Sequence, residues 1–152
     1  MANPFPAQGP TVSGKVARLL RGVAYAPSAA PLPVKRAIWA GNRLRAKPYR
    51  WGGGHASFFD YGYDCSGTVS YALRAAGVLR MPMSSNELTR FGHRGRGKWI
   101  TIYARNGHAF AMIAGLRLDT TAWNKRSDRE APRWQTTLRP ARGFQPRHPE
   151  GL

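Results

Sequence analysis

Tyr63-Asp64-Cys65-Ser66-Gly67 is the stretch on which the reading of this chain turns. It holds the only cysteine, and the helix-like run 68–76 follows it at once, closed by Gly77 where a left-handed residue ends helices. Cys65 is therefore predicted in the first turn of a helix. The unpaired N–H groups and positive dipole end found there favour a thiolate, and the thiolate is the nucleophilic form of cysteine.

Working outward, Pro48-Tyr49-Arg50-Trp51-Gly52-Gly53-Gly54-His55 precedes that helix as a glycine-rich loop, whose backbone can approach a ligand closely. It lacks the Lys-Ser/Thr ending of a phosphate-binding loop, which argues against nucleotide binding. Val34 to Ala46 reads as a helix ended by Pro48. Val12, Val16, Leu19, Leu20 and Val23 recur at helical spacing and predict a short helix over 12–24, behind a disordered tail at 1–11. Downstream, Ser84-Ser85-Asn86-Glu87 has the form of a capping box opening a short helix.

Beyond Gly97 the period changes to two. Strands are predicted at 99–103, at 108–113 after the Asn106-Gly107 turn, and at 116–120 after Ala114-Gly115, with a polar loop over 122–133 and a last edge strand near 143–147. Helices followed by an antiparallel sheet make an α+β domain. The expected organisation is a flexible basic N-terminal segment, 1–33, and one folded domain, 34–152.

A cysteine nucleophile needs a base, and the base needs an orienting group. Of the four histidines, His55, His93 and His148 lie in loops or near the end of the chain. His108 alone opens a strand directly after a turn. Asp119 is the chemically natural orienter. A two-residue turn at Ala114-Gly115 puts 119 and 121 on the face of His108, whereas a three-residue turn puts Leu118 and Thr120 there. The hydrophobic pattern, with Phe110, Met112 and Leu118 all inward, favours the second register. A lone cysteine in a helix is more often a small buried apolar residue, and the one Cys and four scattered His match no zinc spacing. No metal or other cofactor is expected.

The formal charge is +17, from 24 Lys+Arg against 7 Asp+Glu, and the first 59 residues hold nine basic side chains and no acid. Such a surface attracts polyanions. Anionic cell-wall polymers fit it. Nucleic acid is disfavoured, because aromatic and basic residues are not interleaved. No apolar run reaches the roughly 18 residues of a membrane span, and 1–33 lacks the hydrophobic segment of a signal peptide.

Three segments together resemble the NlpC family of cell-wall cysteine peptidases. These are the Tyr49-Arg50-Trp51-Gly52-Gly53 lead-in, the Asp64-Cys65-Ser66-Gly67 nucleophile motif, and Gly107-His108 opening an apolar strand 43 residues after the cysteine. The resemblance spans roughly residues 46–121. It implies a compact papain-like fold, with N-terminal helices packed on a small antiparallel sheet and the nucleophile at a helix N-terminus. It further implies Cys65 as nucleophile, His108 as base, and a third residue at Asp119 or, by the family's offset, Thr120. Tyr49 and Trp51 would line the cleft, and Asp64 and Ser66 would hold the amino end of a peptidoglycan stem peptide. The implied reaction is amide hydrolysis through an acyl-enzyme, in the cell envelope or outside the cell. A related amidase or acyltransferase is the alternative, and a non-catalytic basic binding module the next.

Overall fold

The computed structural model describes residues 4–121 and 131–152. Helix α1 (Leu32–Leu44) starts at the N-cap Pro31, with proline in its first turn where a missing N–H costs nothing. It buries Val34, Ile38 and Leu44 along one face. Helix α2 (Cys65–Ala75) is capped by Asp64, whose side chain accepts the Gly67 N–H. It ends where Val78 N–H returns to the Leu73 carbonyl around Gly77, at φ 80°. Helix α3 (Ser85–Leu88) carries the complete capping box of Ser84 and Glu87.

Two sheets accompany the helices. The small one joins β1 (Thr11–Val12), β2 (Arg18–Leu20) and β3 (Val23–Pro27) in the order β1-β3-β2. The large one holds β4 (His93–Arg94), β5 (Ile100–Arg105), β6 (His108–Ile113), β7 (Leu116–Asp119), β8 (Arg133–Gln135) and β9 (Gln145–His148), in the order β4-β9-β5-β6-β7-β8. Ile102, Ala109, Ala111, Ile113 and Leu118 of this sheet join Ile38, Val69 and Leu73 of α1 and α2 in one core. The result is a compact α+β domain, as the sequence pattern predicts.

Several expectations are corrected. The helix at 12–24 does not exist, because Arg21 and Gly22 both take positive φ (53° and 79°) and turn β2 back onto β3. The segment is also not a loose appendage. Asn42 of α1 donates to the Ala24 carbonyl and accepts the Ala24 N–H (2.9 and 2.8 Å), and Ala17 N–H reaches the Ala114 carbonyl at 2.8 Å. Phe5, assigned to a disordered tail, is buried against Tyr71, while residues 1–3 lie outside the described residues. The last strand, β9, is interior, lying between β4 and β5.

The last correction sets the site. Ala114 and Gly115 both take positive φ (49° and 93°), forming a two-residue turn with Ile113 opposite Leu116. This is the register that the hydrophobic pattern disfavours. Phe110 does not share a face with Leu118. It lies on the opposite side of the sheet, packed against Tyr103 and Phe144, so both faces of β6 carry apolar residues. Of the polar loop expected at 122–133, residues 122–130, Trp123 among them, fall outside the described residues.

Candidate active site

Asp64 organises the N-terminus of α2. Its Oδ1 accepts the Gly67 N–H at 2.7 Å, its Oδ2 accepts the Gly52 N–H at 3.2 Å, and its carbonyl accepts the Thr68 N–H at 2.9 Å. A carboxylate cap of this kind is worth about 1 kcal/mol. The glycine loop packs straight onto the helix: a Cβ on Gly67 would lie 2.1 Å from the Gly53 carbonyl oxygen, and one on Gly53 would lie 2.2 Å from that of Gly62. Glycine is required at both places by close approach. Of the first N–H groups of α2, those of Gly67 and Thr68 are taken by Asp64.

The Ala109 N–H also points at the Cys65 thiol, which brings the start of β6 against the start of α2. The turn before β6 is fixed from the other side, where Gly107 N–H donates to Ser85 Oγ at 3.2 Å. His108 Nε2 lies 2.9 Å from Asp119 Oδ1. Thr120, the alternative third residue, is on the opposite face of the sheet, and its buried hydroxyl has no hydrogen-bond partner.

Asp119 is 1% exposed and is held by two guanidinium groups. Arg139 Nη1 donates to its Oδ2 at 2.9 Å, and fully buried Arg117 donates to the same oxygen. Burial alone would raise the Asp119 pKa, but the hydrogen bond and charge of His108 and the charge of Arg139 bring it below the ordinary value. Arg139 Nη1 also lies 3.1 Å from His108 Nε2. Arg139 and Asp119 demand opposite imidazole tautomers, since a guanidinium donates and a carboxylate accepts. Nη1 carries two hydrogens, and oxygens of Thr121 (2.8 Å) and Asp119 (2.9 Å) accept both at shorter range. The ionised carboxylate therefore takes the Nε2 proton, in a charge-assisted bond. Nδ1 is left with the lone pair a base needs.

A cleft of about 290 Å³ opens over Cys65. Tyr49, Trp51, Asp64 and Ser66 all line it, and Trp51 is 87% exposed. His55, Ser84 and Ser85 line it as well. His55 Nε2 is 2.8 Å from Asp64 Oδ1 and 3.1 Å from Ser66 Oγ. The hydrogen bond to Asp64 raises the His55 pKa against the effect of burial. Burial would raise the Asp64 pKa, but the His55 bond and the Gly67 N–H lower it. In the sequence His55 reads as a loop residue and Arg139 as one of 24 cationic side chains. Its place directly after the glycines was the one signal for His55, and Arg139 had none.

The thiol departs from expectation. Burial pushes the Cys65 pKa up, and the charges of Asp64 and Asp119 add to this, against the opposing N–H groups of Ala109 and Ser66. The helix terminus favours a thiolate, but half-burial outweighs it and favours the thiol. Among the described residues no group of three His, Cys, Asp or Glu side chains could hold a metal ion, and no helix is long and apolar enough to cross a membrane.

This arrangement, a cysteine at the first position of a helix set against the histidine end of a central strand, is built on the α+β fold of NlpC/P60 domains. The NlpC/P60 family model matches residues 46–107 of this chain, and its structural neighbours are NlpC/P60-domain proteins. The P60 domain of an antigen from M. avium subspecies paratuberculosis is 21% identical, with a TM-score of 0.54 over 76% of this chain and 93% of that one. RipD from Mycobacterium tuberculosis, described as a non-catalytic NlpC/p60 domain protein adapted to peptidoglycan binding, is 19% identical, with a TM-score of 0.56 over 78% and 98%. An NlpC/P60 family protein from Bacillus cereus is 19% identical, with a TM-score of 0.52 over 74% of this chain but 38% of its own. At these identities the likeness is one of fold. No curated protein matches the chain.

Proposed function

We propose that this protein is a cysteine peptidase that hydrolyses amide bonds in peptidoglycan stem peptides. The NlpC/P60 match supports a peptidoglycan-related role. The observation that supports the catalytic reading is the His108–Asp119 bond, in a strand whose next residue, Ala109, acts on the helix-terminal Cys65 thiol. In the proposed reaction His108 Nδ1 takes the Cys65 proton as the sulfur attacks the amide carbonyl carbon. The Cys65 N–H donates to the developing oxyanion. His108 then returns the proton to the leaving amine, the C–N bond breaks, and a thioester remains. Water, deprotonated by the same nitrogen, hydrolyses the thioester and frees the thiol. Tyr49 and Trp51 would flank the stem peptide, with Asp64 and Ser66 at its amino end. Reaction at the cell envelope follows from the substrate, and anionic wall polymers are compatible with the charge of the chain.

A second reading is peptidoglycan binding without hydrolysis, favoured by the raised thiol pKa and by the description of RipD. Incubating the wild type and Cys65→Ala with defined muropeptides, read by mass spectrometry, separates the two. New fragments from the wild type alone are expected. Binding of the muropeptides by both proteins, with cleavage by neither, would refute the peptidase.

A further inference from the structure

A second cavity among the described residues is larger than the one over Cys65. It holds about 590 Å³ and lies on the sheet face that carries Tyr103, Phe110 and Met112. That volume is within the range of small-molecule sites, roughly 300–1,000 Å³. Its inner wall is apolar. Every ionisable side chain lining it that carries charge at neutral pH is a cation, and no Asp or Glu lines it among the described residues.

The lip is more specific than the wall. Val16 is 63% exposed and Leu138 75% exposed, and both line the opening. Lys15, Arg96 and Lys98 stand beside them, all exposed. Lys98 Nζ lies 5.9 Å from the centre of the half-buried Trp99 ring. The lip is also anchored: Ala17 N–H bonds to the Ala114 carbonyl at 2.8 Å, and Gly97 N–H bonds to Thr101 Oγ1 at 3.0 Å. Exposed aliphatic side chains within a basic rim, over an apolar cavity, match a ligand with a hydrocarbon part and an anionic head. A hydrophilic polyanion would use the rim and gain nothing from Val16 and Leu138.

We propose that this cavity is a second binding site, separate from the cysteine cleft, for an anionic phospholipid at a membrane surface, with a hydrocarbon chain against the apolar wall and the phosphate on Lys15, Arg96 and Lys98. The charge complementarity of the rim and the anchored apolar lip carry it together. The proposal does not depend on whether the cysteine is catalytic.

The test is flotation of the full chain with phosphatidylglycerol-containing vesicles and with pure phosphatidylcholine vesicles. Binding to the first only is expected. Each basic residue at an anionic surface contributes on the order of fivefold, so Lys15→Ala/Arg96→Ala/Lys98→Ala should weaken binding on the order of a hundredfold. Arg45→Ala/Arg80→Ala/Arg133→Ala removes the same charge from exposed positions outside the cavity and should weaken it less than about threefold. Val16→Ser/Leu138→Ser, with charge unchanged, should cost on the order of tenfold. All these side chains are exposed, so each variant should keep the wild-type unfolding midpoint. Equal losses in the two triple variants would assign the binding to diffuse charge and overturn the site. Wild-type binding by Val16→Ser/Leu138→Ser would make it a hydrophilic polyanion surface and overturn the lipid.

Discussion

Asp119→Asn is the sharpest perturbation of the candidate site, because it changes one charge and almost no volume. The carboxylate accepts from His108 Nε2 (2.9 Å), Thr121 N–H (3.2 Å), Arg139 Nη1 (2.9 Å) and Arg117 Nη1. Breaking a buried ion pair from one side costs about 3–5 kcal/mol. Arg117 keeps acceptors at the carbonyls of Thr121 and Thr137 and at Gln135 Oε1, which points to the lower end. A loss of about 3 kcal/mol corresponds to a fall in Tm of about 6–12 °C for a domain of this size. The sign with pH follows from the lowered Asp119 pKa. Its contribution is whole above the unfolded value, near 3.8, and disappears as pH falls through the folded value. The gap between wild type and variant should therefore close in acid. The chemical effect comes from amide orientation. Two guanidiniums demand an oxygen on the Oδ2 side, which turns the new NH₂ toward His108. Nε2 must then accept, the proton moves to Nδ1, and the base is lost. The same tautomer reversal in a serine-protease triad lowers kcat about 10⁴-fold. Thermal unfolding, ¹⁵N shifts of the His108 ring and muropeptide cleavage read the three effects. A variant with lowered Tm but wild-type cleavage would refute the orienting role, and one with unchanged Tm would refute the electrostatic argument.

Other consequences are direct. Thr120→Val removes a buried, unpartnered hydroxyl from the sheet face opposite His108, so stability should hold or rise by about 1 kcal/mol, with cleavage unchanged; a catalytic loss there would reinstate Thr120 as the third residue. Because burial raises the Cys65 pKa above 9.0, its alkylation by iodoacetamide should still accelerate as pH passes 9. A plateau near neutrality would instead reveal a preformed thiolate–imidazolium pair. Gly41→Ala places a Cβ 2.4 Å from the buried Trp134 ring, and urea unfolding should register an overpacking cost of about 1–3 kcal/mol.

Much of this architecture was open to sequence reading, and the failures share a cause. Helices α1 and α2 announce themselves through the stops at Pro48 and Gly77, and the capping box of α3 is written in four consecutive residues. Those signals are local, so local reading finds them. The strands of the N-terminal sheet carry alanines on their buried face, at 24 and 26, while the larger Val16, Leu19 and Val23 fall at helical spacing by coincidence. What excludes the helix is Arg21 at positive φ, an arginine in a conformation its type does not advertise. The β6–β7 register failed for a different reason. Alternation predicts one buried face, but Phe144 and Arg139 return from the C-terminal region to cover the other. Asp119 and Phe110 can therefore share a face that the pattern assigns to solvent.

The same return of the chain explains why the candidate site is held as it is. Arg117 is fully buried, and all five of its N–H donors have acceptors: Asp119, Gln135, the Thr121 carbonyl, and both the carbonyl and hydroxyl of Thr137. A buried pair of this kind is weak evidence of stabilisation, since an apolar pair of equal volume often serves a core as well. What it does supply is an ionised carboxylate in one orientation. That carboxylate accepts from His108 Nε2, and burial raises the pKa of the nearby thiol. Under the proposed reaction, a thiol that is neutral at rest would give up its proton as it attacks rather than before. A module that only binds a stem peptide would need Tyr49, Trp51 and Asp64 around its cleft. It would have no use for a fixed tautomer on the far side of the thiol, and that is the part of the molecule to which one buried and one half-buried arginine are committed.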